Sequence, residues 1–127
     1  MKVASLKSNV RDGDLIVVDK NNQNAVKVPE IAPSLQQALE NWATVGLKLR
    51  AASEALNAGN APTSFKLEMK ALAAVLPRAP QFVDGSAYLA HVERVRKARG
   101  AEMPPSFLHD PLMYQAVSDA FLSPTER

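Results

Sequence analysis

Asp84, Tyr88 and His91 stand close together in the segment QFVDGSAYLAHVERVRKARG. A carboxylate suits a hard divalent cation, which takes oxygen ligands. An imidazole can accept a proton from water near neutral pH. The spacing predicts a helix from about Gly85 to Arg99, with Asp84 placed to cap it. On such a helix, positions seven apart differ by only about 20° in azimuth and rise by roughly 10.5 Å. Asp84 and His91 would then share a face, too far apart for contact but suited to flank a cation and its substrate. The plainer reading of the same residues is an N-cap Asp and an ordinary partly buried histidine. His109 stands among prolines and reads as loop. No P-loop, GxGxxG, HExxH or GxSxG pattern occurs in the chain.

The elements that would position these residues belong to a chain of 127 residues, 46% hydrophobic and 22% charged, a length that suits one domain. That apolar content with a net charge of only +2 excludes wholesale disorder. Two charges make no field that would imply nucleic acid. Glu93, Arg94, Arg96, Lys97, Arg99 and Glu102 read as a mixed-charge solvated surface without the interleaved aromatics of a single-strand binder. Cysteine is absent, which removes disulfides, thiolate nucleophiles and Cys-ligated zinc, and fits a reducing cytosol. The longest apolar run, Ala71 to Leu76, falls far short of the roughly 20 residues of a membrane span. No apolar segment follows Met1-Lys2 to make a secretory signal. The expectation is a cytoplasmic protein, or a piece of one, with no membrane and no nucleic-acid partner.

The first thirty residues predict a β-meander. Residues 2–7 form one strand, Arg11-Asp12-Gly13-Asp14 a turn, Leu15-Ile16-Val17-Val18 a second strand, and Ala25 to Val28 a third that Pro29 closes. Ser34 and Gln37 make an S-x-x-Q capping box. Behind it Leu35, Leu39, Trp42, Val45 and Leu49 recur at helical spacing, and the pattern runs through Leu56 to a stop at Gly59. On that stripe Trp42 reads as core. Phe65, Leu67 and Met69 alternate with charged residues as in a short strand. After Gly100, three prolines and the aromatics Phe107, Tyr114 and Phe121 make an irregular tail. The fold class expected is α+β: a small antiparallel meander packed with a long amphipathic helix, then a second helix and the Pro-rich tail.

Three stretches carry a family resemblance. MKVASLKS, the strand DLIVVD and VPEIAPSLQQALENW resemble the amino-terminal domain of bacterial fumarylacetoacetate hydrolase family proteins. Residues 81–115, with Asp-x6-His and then Pro-x-x-Tyr, resemble the entry to that family's catalytic domain. The resemblance implies an amino-terminal domain over 1–80 and the beginning of a catalytic domain over 81–127. It implies that Asp84 is the first ligand of Mg²⁺, Mn²⁺ or Ca²⁺. His91 would be the base that activates water for attack on a β-diketone carbonyl, splitting a carbon–carbon bond. Tyr114 matches a tyrosine that contacts substrate, and Arg99 lies one residue from the spacing of an arginine that binds a substrate carboxylate. Ser86 stands where some members have a substrate-binding tyrosine, which leaves the identity of the oxo acid open. A homodimer built largely by the downstream domain is also implied.

The family's remaining metal ligands, a Glu-x-Glu pair and a further Asp, have no counterpart after Asp84. One carboxylate does not hold Mg²⁺ usefully by itself. The chain therefore reads as a fragment of a metal-dependent C–C bond hydrolase, ending at Arg127 before the site is complete and inactive alone. The alternative from another class is a non-catalytic, partner-binding α+β module. In the fragment, the apolar anchors of residues 101–127, Phe107, Leu112, Tyr114 and Phe121, are expected to be exposed, disordered or paired with another copy.

Overall fold

A computed structural model of the chain describes residues 1–116 and 120–126; positions 117–119 and 127 lie outside the described residues. The chain divides into two compact units, Met1–Ala79 with Asp119–Arg127, and Pro80–Ser118.

In the first unit, β1 (Lys2–Leu6), β2 (Asp14–Val18), β3 (Asn24–Lys27) and β4 (Phe65–Lys66) form an antiparallel sheet in that order. The Leu15-Ile16-Val17-Val18 run is continuous because both faces of β2 are covered. Leu15 and Val17 join Val26, Val28, Leu35, Ala38, Val45, Leu49 and Leu56 on one side; Ile16 and Val18 join Leu6, Ala25 and Leu72 on the other. A strand buried on both faces reads as an unbroken apolar run. The β1–β2 turn closes where Gly13 donates its N–H to the Val10 carbonyl, with Gly13 at φ +68°. Between β2 and β3 the buried Asp19 carboxylate accepts N–H bonds from Gln23 and Asn24 at 2.8 and 3.2 Å, which lowers its pKa. The outer edge of β1 is covered by the 71–73 segment, whose Ala71 carbonyl accepts from Lys7 N–H and whose Ala73 N–H donates to Ser5.

The single long helix expected from Ser34 onward is two: α1 (Leu35–Glu40) and α2 (Trp42–Asn57). Ser34 caps α1 as expected, its hydroxyl accepting the Gln37 N–H at 3.3 Å. Asn41 then breaks the helix. Its side-chain amide donates to the Gln37 carbonyl at 3.1 Å and its backbone sits at φ −116°, ψ 26°. An Asn that bonds nearby backbone offers the chain an alternative to the helical ladder. The break rotates the apolar stripe, and the reading of Trp42 as core is corrected. Trp42 is 42% exposed and Leu39 48%, while Val45, Leu49 and Leu56 face the sheet. The indole lies instead along its own helix against Gly46. The strand expected over 65–70 is also shorter: after Lys66 the chain turns into a 3-10 helix, Met69–Ala71.

The described end of the chain does not behave as a free tail. Residues 120–126 belong to the first unit, where Ser123 is buried and Lys7 Nζ lies 2.8 Å from Glu126 Oε1. Among the described residues no helix is long and apolar enough to cross a membrane.

Candidate functional site

The second unit contains β5 (Val83–Ser86), α3 (Leu89–Ala98), a 3-10 turn (Pro105–Leu108) and β6 (Leu112–Gln115). β5 and β6 pair antiparallel, with Asp84 opposite Tyr114 and Ser86 opposite Leu112. The pairing is extended where the Ala116 N–H donates to the Phe82 carbonyl at 3.0 Å. This overturns the helical placement of Asp84. Val83-Asp84-Gly85-Ser86 is a strand because Leu112-Met113-Tyr114-Gln115 supplies it with a partner 26 or more residues away, an interaction that local spacing does not carry. The helix begins only at Leu89, with Tyr88 at the cap position and no side-chain cap bond. Asp84 therefore caps nothing, and the shared helix face derived for Asp84 and His91 does not exist.

The two residues nevertheless meet at one place. A cavity of about 400 Å³ within this unit is lined by Asp84, Ser86, His91, Arg96, Arg99 and Tyr114 on its polar side. Val92, Val95, Phe107 and Leu112 supply its apolar wall. All four site residues expected from the sequence, Asp84, His91, Arg99 and Tyr114, thus line one cavity, two from the strand pair, one from α3 and one from its C-cap. Tyr88 is not among them; it is 77% exposed. Val92, 6% exposed, is the buried side chain that seats α3. His109, read from the sequence as loop, ends the 3-10 turn and is exposed.

Among the lining residues that the sequence does not mark as site residues are Arg96 and Phe107. Arg96 reads from the sequence as part of a solvated surface, but it is partly buried, with its guanidinium carbon 5.1 Å from the centre of the Phe107 ring. It also donates through Nη1 to the Glu102 carbonyl at 3.4 Å. Phe107 lay in what reads as irregular tail. The available signal was spacing: residues three apart on a helix are neighbours, which puts Arg96 beside Arg99. Among the described residues neither arginine forms an ion pair. Among the described residues, two guanidinium groups against one carboxylate give the cavity a positive balance, which favours an anionic ligand.

Residues 1–78 match the family model Fumarylacetoacetase N-terminal domain 2. The chain belongs to this family. No curated protein matches the sequence. Membership supports a place in the fumarylacetoacetase family of hydrolases, and it rests on the meander, α1 and α2. The cavity begins beyond the matched residues, at Asp84.

A divalent metal is compatible with this family, so the cavity's donors can be tested against one. Mg²⁺ and Ca²⁺ require six or more oxygens, several of them from carboxylates, waters or substrate. Among the described residues no group of three or more His, Asp or Glu side chains is arranged to hold an ion. Asp84 is exposed and, among the described residues, is the single carboxylate that lines the cavity. The described residues alone do not fit a divalent cation.

Proposed function

We propose that this chain is the amino-terminal part of a fumarylacetoacetase-type hydrolase that cleaves a carbon–carbon bond in a β-diketo acid, and that its second unit carries the substrate-facing part of the site. The observation behind this reading is the convergence of Asp84, His91, Arg99 and Tyr114 on one positively biased cavity. In the reaction, water oxygen adds to a ketone carbonyl carbon while His91 takes the water proton. The C–C bond breaks with its electron pair passing to the neighbouring carbon as an enolate, which is then protonated. The products are a carboxylic acid and a smaller oxo compound. Tyr114 and an arginine hold the substrate in register, worth far more than their contact energy because a positioned substrate reacts in an effectively unimolecular step. Asp84 is one ligand of Mg²⁺, Mn²⁺ or Ca²⁺ only when further oxygens come from outside the described residues. The chain alone is therefore inactive, and the complete protein is a homodimer.

The test is hydrolysis of acetylpyruvate followed by loss of its enol absorbance. The 127-residue chain with Mg²⁺ is expected to leave it intact. The polypeptide continued along its coding sequence, bearing a Glu-x-Glu pair, is expected to cleave it and to lose cleavage on His91→Ala. Unimpaired cleavage in that variant, or a coding sequence that stops after residue 127, contradicts the proposal. The second outcome favours the non-catalytic binding module instead.

A further inference from the structure

We propose that the Asp84-Gly85 peptide is a modification site, at which Asp84 isomerises without an enzyme to a β-aspartyl residue. Two Asp-Gly sequences occur in the chain, Asp12-Gly13 and Asp84-Gly85. In such a pair the glycine amide nitrogen can attack the side-chain carbonyl carbon of the aspartic acid. The new C–N bond closes a cyclic imide, and the amide proton leaves with the carboxyl hydroxyl as water. Water then adds back to the imide. Where the bond that breaks joins nitrogen to the backbone carbonyl, the main chain afterwards runs through the side-chain carbon. Glycine favours the closure because it has no Cβ to oppose the approach and gives the backbone the most freedom.

The two pairs are held differently. In the β1–β2 turn the Gly13 N–H donates to the Val10 carbonyl at 2.9 Å, and Arg78 grips both Asp12 carboxylate oxygens at 2.8 and 2.7 Å. The Arg78 bonds also hold that carboxyl below its ordinary range, and closure proceeds from the neutral acid. Among the described residues the exposed Asp84 side chain has no ion-pair or hydrogen-bond partner. Bonded and non-bonded pairs alternate along an antiparallel ladder. The bond from Ala116 N–H to the Phe82 carbonyl makes that pair a bonded one, so Asp84 with Tyr114 is the next, and Gly85 opposite Met113 falls outside the bonded set. The Gly85 N–H thus points to the open side of β5, and among the described residues nothing accepts it. An added Cβ at Gly85 would meet nothing within 4 Å, so the backbone there has room to turn. Closure needs a brief opening of the Asp84–Tyr114 pair. A two-stranded ribbon is marginal by itself, so it opens more readily than the four-stranded sheet whose β1–β2 turn carries Asp12. The product has an extra backbone carbon, which shifts β5 against β6 and takes the carboxylate from its place on the cavity wall. On the proposed reading of the cavity a metal ligand is then lost; the isomerisation itself does not depend on that reading.

Ageing the 127-residue chain in neutral buffer made with ¹⁸O-water tests the assignment, because each passage through the imide leaves a labelled oxygen. Peptide mass spectrometry with electron-transfer fragmentation locates the label and separates β-aspartyl from aspartyl. Label and β-aspartyl linkage are expected at Asp84 at least about tenfold faster than at Asp12, the scale of one hydrogen bond to a charged group. Gly85→Ala, which the open space accommodates, should slow the reaction at Asp84 several-fold. Arg78→Gln should bring label into Asp12 and leave the rate at Asp84 unchanged. Thermal transitions of the variants show that each is folded. Equal labelling of the two aspartates in the unaltered chain, or labelling of Asp12 alone, overturns the proposal. So does an Asp84 that stays unlabelled over a time in which the urea-unfolded chain is labelled at both positions.

Discussion

Gly13→Ala offers the sharpest test of the first unit, because Gly59 supplies an internal control. Both glycines have positive φ, +68° and +77°. A left-handed conformation costs an alanine about 1–2 kcal/mol, and the stiffer unfolded chain returns about 0.4–1 kcal/mol of that. At Gly59 nothing lies within 4 Å of an added Cβ, so the net cost there is about 1 kcal/mol. At Gly13 the same Cβ would stand 2.7 Å from the Leu6 carbonyl oxygen. That atom is backbone in β1, paired through Leu6 with Asp14 of β2, and cannot swing aside as a side-chain tip would. Moving it adds about 1–3 kcal/mol, the range of overpacking in a well-packed site. Gly13→Ala should therefore cost about 3 kcal/mol in urea unfolding, roughly 2 kcal/mol more than Gly59→Ala. Equal midpoints for the two variants, with unchanged m-values, would refute the close approach of the β1–β2 turn.

Trp42→Ala should cost about 1–2 kcal/mol in the same assay, since the side chain is 42% exposed; a loss of about 3–5 kcal/mol would restore it to the core. Val92→Ala removes the buried contact of α3 and should cost about 1.5–2 kcal/mol. Amide exchange should then quicken at residues 95–99 and remain slow at 15–18. Equal quickening at both sites would count against the independence of the cavity-bearing unit. The Lys7 ammonium and the Ser123 N–H hold the Glu126 carboxyl down to about 2, from 4.5. The unfolded chain binds the extra proton between those values, so this contribution to stability is complete above pH 4.5 and is lost as the pH falls toward 2. Asp12 beside Arg78 and Asp14 beside Lys27 are lowered in the same sense. Glu126→Gln should flatten the fall of the thermal midpoint across that window, and an unchanged slope would deny the Lys7 contact.

Legibility in the sequence followed the range of the interaction. Ser34 and Gln37 announce the start of α1 because a cap is made by residues three apart. The Leu15–Val18 run announces a strand because burial on both faces is written in the strand itself. Asn41 ends α1 through a bond to a carbonyl four residues back, which competes with a helical pattern that looks unbroken in apolar spacing. Asp84 is the clearest failure. Its position ahead of an amphipathic run fits an N-cap, and only a strand partner beyond residue 111 makes it a β residue. The same residues still line one cavity, because the resemblance rests on residue identities and not on helix geometry. Arg96 was missed for the converse reason: its charge matches a solvated surface, and Phe107, which gives it a different environment, lies eleven residues on in a Pro-rich stretch.

The central claim is that the second unit presents an acid-binding cavity to which Asp84, His91, Arg96, Arg99 and Tyr114 all contribute. Its most direct test is a ¹H–¹⁵N NMR titration of the 127-residue chain with acetylpyruvate. Saturable shifts at the amides of Ser86, His91, Arg96 and Tyr114, with those of residues 14–18 unmoved, are the expected result. Shifts confined to the first unit, or none at concentrations that saturate a millimolar site, would contradict it.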